Sequence, residues 1–150
     1  MNLPKEIAEA CAPLFEAIPI ESAMQELVGF KSKQVALVEK IVSMPVIAAK
    51  PDLVPGLWLY VDDFARGHDF IQDSMDPANS YWHGIMHRRE GDFSNSKYWF
   101  NRAKNHPLFA ELNPNALVDE VAADNGKNNA ELIGKQRLEW QTMFERCARE

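Results

Sequence analysis

The chain is predicted to be all-α, a compact bundle of six or seven helices built around a central helical hairpin. Three observations predict that class. Apolar residues recur at spacings of three and four along most of the chain. Helix-starting and helix-ending signals, such as Asp76-Pro77 and Gly91, bracket those stretches. No run shows the strict alternation of a half-buried strand. At 150 residues, with 46% hydrophobic and 25% charged content, one domain spanning 1–150 can bury a core without disulfides.

The first helix is expected from Pro4 to about Ala17, where Pro19 ends it. A second segment, about Glu21 to Leu27, leads through Gly29 into a helix over Ser32–Ser43. There Val35, Leu37, Val38, Ile41 and Val42 form a broad apolar face. Pro45, Pro51 and Pro55 then punctuate a connector that cannot be continuous helix. Leu57 to about Ser74 reads as one amphipathic helix with Leu57, Val61, Phe64, His68 and Ile71 on a single stripe. Asp62 and Asp63, being adjacent, read as solvated surface. Asp76 caps a helix that runs from Pro77 to Glu90 and stops at Gly91. Asp92 or Ser94 caps the next, which ends at His106-Pro107. A shorter helix follows Pro114 to about Ala123, and the last spans about Asn129 to Ala148.

The net charge of −6 argues against general nucleic-acid binding, which needs a basic face to displace counterions. No apolar run is long enough to cross a bilayer, so no membrane partner is expected. Met1 to Pro4 carries neither the basic nor the apolar part of a secretory signal, and a cytoplasmic location is expected. Cys11 and Cys147 show no metal or redox spacing and read as free buried thiols.

Titratable and aromatic groups concentrate between residues 68 and 106, which hold all four His of the chain. His83 and His87 are four apart, so a helix places them on one face, and Glu90 continues that stripe. Two imidazoles and a carboxylate in that register can hold a divalent metal, with His68 as a further ligand from the preceding helix. The zinc-protease pattern is absent, since Gly84 stands where Glu would follow the first His. Arg88, Arg89, Lys97 and Arg102 form a second constellation suited to phosphate or carboxylate. On the following helix Asn95, Tyr98 or Trp99, Arg102 and His106 share one side.

The three central helices, about 57–74, 77–90 and 93–106, are therefore expected to enclose a polar cleft. Gln72, Arg88, Arg89, Asn95, Lys97, Tyr98 and Arg102 are its candidate ligand-binding residues. His68, His83, His87 and Glu90 are its candidate metal ligands, and His106 or Asp92 its candidate acid or base. The leading expectation is recognition of a small anionic ligand. Metal-dependent hydrolysis and a helical interaction module are the alternatives. No nucleophile elbow or Gly-rich phosphate loop accompanies these residues.

Two resemblances involve the same residues. Gly84, Gly91-Asp92-Phe93, Ser96, Phe100, Ala103 and Pro107 resemble a single tetratricopeptide helix–turn–helix. Ser96 replaces the usual Ala, His87 stands where an aromatic is usual, and the Pro comes one position early. One repeat implies hairpin geometry and no solenoid. The run Trp82-His83-x-Ile85-Met86-His87-Arg88-Arg89-Glu90-x-Asp92-Phe93-Ser94-Asn95-x-Lys97-Tyr98-Trp99 is similar to a family of uncharacterised bacterial and fungal proteins. That family also carries His and Gln at the spacing of His68 and Gln72, and a His-Pro like His106-Pro107. The similarity covers a core of about residues 57–112. It implies a site there and no particular reaction.

Overall fold

Helix-starting chemistry at Asp76-Pro77 produces the element around which the rest is arranged. In the computed structural model, which describes residues 1–150, the Asp76 carboxylate accepts the Asn79 backbone N–H at 2.8 Å and Pro77 takes the first helical position. The helix, Pro77–Glu90, ends where Gly91 adopts φ +82, as the sequence predicts. All twelve residues from Ala78 to Arg89 are buried. A helix covered on every side carries no amphipathic stripe, so its polar residues turn into the molecule, where Trp82, Arg88 and Arg89 each find a partner and His83 finds none.

The fold is all-α, with no strand. Its ten α-helices are α1 (Lys5–Ala17), α2 (Val35–Val42), α3 (Pro45–Ala48), α4 (Val54–Tyr60), α5 (Phe64–Ile71), α6 (Pro77–Glu90), α7 (Phe93–Arg102), α8 (Pro107–Leu112), α9 (Pro114–Asp124) and α10 (Ala130–Arg149), with two single 3-10 turns. The count exceeds the expected six or seven because the proline connector and the segment after His106 each wind an extra turn, and one long predicted helix is divided.

That division lies at residues 61–63, between α4 and α5. Asp62 adopts a left-handed φ of +61. Its carboxylate turns inward to Arg89 Nη2 at 2.6 Å, and Lys33 approaches at 3.3 Å. Arg89 Nη1 also donates to the Leu59 carbonyl at 3.0 Å. A continuous helix would carry Asp62 away from this guanidinium. The break supplies a wholly buried cation with a carboxylate and a carbonyl together. Asp63 restarts the chain as the cap of α5, accepting from the Arg66 backbone N–H. Both aspartates are buried, contrary to the solvated surface expected of them.

The segment expected as helix over 21–27 winds one turn at Ile20–Ser22 and continues irregularly. Its backbone is satisfied from α10 instead. Arg137 Nε donates to the Ala23 carbonyl at 2.8 Å, and Gln136 Nε2 donates to the carbonyls of Met24 and Glu26. The α6–α7 hairpin closes tightly at Gly84. A Cβ there would meet the Phe100 ring at 2.6 Å, and Ser96 Oγ donates to the Gly84 carbonyl at 2.6 Å. On the other side α10 packs Trp140 and Phe144 into the core, with Trp140 Nε1 donating to the Gly56 carbonyl. Cys11 and Cys147 are both buried and free. No helix is long and apolar enough to cross a membrane.

Candidate metal centre

Three of the four histidines meet where α5 crosses the hairpin. His83 and His87, one turn apart on α6, stack with centroids 4.9 Å apart. His68 on α5 stands edge-on to both, 4.7 Å from His83 and 5.7 Å from His87. One ring nitrogen from each lies within 4.8 Å of the others. Nitrogens around a tetrahedral zinc at about 2.1 Å sit about 3.4 Å apart. Closing that difference requires side-chain rotation, and half-buried His68 is the least enclosed of the three.

His83 is the anchor. It is 2% exposed, and Trp99 lies flat against it with centroids 3.8 Å apart. Neither of its ring nitrogens has a hydrogen-bond partner. Burial, followed by the neighbouring His87 and His68, pushes its pKa down to about 3. The ring is therefore neutral at physiological pH, the form that ligates metal, with no proton to displace. Leaving a buried polar atom unpartnered costs about 1–3 kcal/mol, and a metal ion is one group that would offset it.

His87 is oriented from behind. Its Nδ1 lies 3.2 Å from Glu90 Oε2. A carboxylate accepts here, so the neutral tautomer that suits this contact has its proton on Nδ1 and its lone pair on Nε2. This is the carboxylate–histidine arrangement that fixes the tautomer of metal-binding imidazoles. Glu90, expected as a fourth ligand beside the three histidines, lies outside the group whose ligand atoms come within 4.8 Å of one another. The Asn95 amide nitrogen lies 3.3 Å from His87 Nε2 and 3.5 Å from Nδ1.

The remaining predicted site residues are scattered, and the expected common cleft does not form. Successive helical residues point about 100° apart, which turns Arg88 and Arg89 away from the His83/His87 stripe. Arg88 Nη1 donates to Glu139 at 2.8 Å, Arg89 binds Asp62 and the Leu59 carbonyl, and both guanidinium groups are fully buried. They hold helices together and do not join Arg102 in an anion clamp. Lys97 reaches away to Asp119 at 2.6 Å, tying α7 to α9. Gln72 is the exposed C-cap of α5, and Asp92 caps α7.

His106 caps α8 through Nδ1, which accepts from the Leu108 N–H. It borders a separate hollow of about 490 Å³ with Asp52, Asp76 and Glu150, and burial lowers its pKa. Tyr98 and Arg102 are exposed; the Arg102 guanidinium lies over the rings of Tyr98 and Trp99. None of the surface hollows is lined by His68, His83 or His87. His83 and His87 are buried, and half-buried His68 is the most exposed member of the cluster.

Comparison with protein-family models, curated proteins and solved structures finds no match to this chain. Function must be argued from the site itself.

Sequence reasoning missed the role of Trp99, which it placed only as an alternative to Tyr98 beside Asn95 and Arg102. Its position four residues after Asn95 was the available signal. Glu139 was missed as an arginine partner. Glu139 lies fifty-one residues from Arg88, and no local pattern reports such a pairing.

Proposed function

We propose that the protein binds a divalent transition-metal ion through His68, His83 and His87, with Glu90 holding His87 in its ligating tautomer. The observation that carries this reading is a buried His83 with both nitrogens unpartnered, in a group of three imidazoles whose ligand atoms lie within 4.8 Å of one another. Imidazole donors suit zinc, copper and nickel. The engagement of Arg88 and Arg89 in buried ion pairs favours this reading over a three-arginine anion clamp. The chelator-stripped protein, reloaded with zinc and desalted, is expected to retain about one ion per chain by elemental analysis. His83→Gln, with an unchanged far-ultraviolet circular dichroism spectrum, is expected to retain none. A wild-type protein that keeps no zinc, or a His83→Gln variant that keeps a full equivalent, rules the reading out.

A further inference from the structure

We propose that the metal keeps one coordination position open for an oxyanion, a carboxylate or phosphoryl group, and that Asn95 donates a hydrogen bond to it. The inference rests on the metal reading above and specifies what that centre binds. Three imidazoles fill three of the four positions of a tetrahedral ion, the pattern of sites that exchange a ligand. Glu90 does not supply the fourth, because its carboxylate is engaged at His87 Nδ1.

Charge favours an anion in that position. Three neutral imidazoles leave the dipositive charge of the ion undiminished. Glu90 offsets one unit through His87. Arg102 is a cation without a carboxylate partner: its guanidinium contacts Tyr98 Oη, Met75 Sδ and the face of Trp99, the ring that stacks on His83. A centre left positive attracts an oxygen anion, and the ion's own charge dominates the local field.

Asn95 stands where such a ligand needs a donor. Its amide nitrogen is nearly equidistant from both nitrogens of His87. No group can lie along both lone-pair directions at once, so the amide is committed to neither nitrogen. Its backbone N–H is held by Asp92, which fixes the residue in the first turn of α7. The side-chain amide has no other partner and is free to donate to a metal-bound oxygen. With no enclosed hollow over the cluster, the ligand enters by its anionic end. The remainder of the molecule stays in solvent beside Trp99 and Tyr98.

Cobalt(II)-loaded protein, titrated separately with acetate and methylphosphonate, tests this through the visible d–d bands. A saturable band shift with either anion is expected, and the anion that produces it distinguishes carboxylate from phosphoryl. Asn95→Ala is expected to bind cobalt with an unchanged anion-free spectrum and to weaken the anion about tenfold, one hydrogen bond's worth. Arg102→Ala is expected to weaken dianionic methylphosphonate more than acetate. Bound cobalt whose bands ignore both anions overturns the proposal. So does an Asn95→Ala variant with an altered anion-free spectrum, which makes Asn95 a fourth protein ligand. Failure to take up cobalt at all instead overturns the metal reading beneath it.

Discussion

Sealing an imidazole beneath an indole with neither nitrogen bonded makes protonation unfavourable, and His83 carries that constraint into the stability of the whole chain. Its pKa falls from 6.5 to about 3, chiefly by burial. Between those values the unfolded chain takes up a proton that the native state refuses. Stability from this residue is therefore complete above pH 6.5 and is lost as pH falls toward 3. The slope is up to about 1.4 kcal/mol per pH unit, or roughly 2 kcal/mol between pH 6.5 and pH 5. Urea denaturation of metal-free protein at those two pH values, compared with His83→Gln, measures it. The variant is expected to lose less stability on acidification, and equal losses would sink this account of the residue. The same scale shows why the arginines were misread. Arg88 and Arg89 stand beside the histidines in sequence, yet helical geometry sends them to Glu139 and Asp62. A composition-rich run identifies where polar chemistry lies, whereas the direction of each side chain depends on partners far along the chain.

Among the elements, the α6–α7 hairpin was the most legible because its signals are local. Asp76-Pro77, Gly91 and Asp92 each act within one turn, and each takes its predicted place. The divided helix at residues 61–63 and the irregular segment after Ser22 were illegible for the opposite reason. Their backbones are satisfied by Arg89, Gln136 and Arg137, side chains from distant helices, and tertiary demand overrode the helical period. The hairpin also sets the site. Contact at Gly84 lets α7 approach closely enough for Trp99 to lie on His83. Gly84→Ala places a methyl group 2.6 Å from the buried Phe100 ring, which has no void to retreat into. The helices must separate, at a cost of about 1–3 kcal/mol. The variant is expected to lose stability in chemical denaturation and to hold zinc more weakly, because His83 loses its stacking support. Native stability with full zinc affinity would show that the close crossing does not set the centre.

At the scale of the whole molecule, the three histidines join two helices, α5 and α6, that residues 72–76 separate along the chain. His68 comes from α5, while His83 and His87 belong to the hairpin at the centre of the core. A bound ion would thus link α5 to the central helix, and binding to the native state alone raises stability by mass action. At about a hundredfold excess of free metal over its Kd the gain is about 2.7 kcal/mol. For a chain of this size, each kcal/mol moves Tm by roughly 2–4 °C, so zinc is expected to raise Tm by about 5–10 °C. His68→Ala separates this linkage from ordinary packing. His68 is half-buried, and only ring-to-ring contacts tie it to the other histidines. Its removal should therefore change the metal-free Tm little while abolishing most of the zinc-induced rise. Differential scanning calorimetry of both proteins with and without zinc decides the point. If His68→Ala keeps the full rise, the ion is held by α6 alone and α5 is not part of the centre. If the variant loses both the rise and the metal-free Tm of the wild type, His68 is a packing residue, and the third ligand must be sought elsewhere.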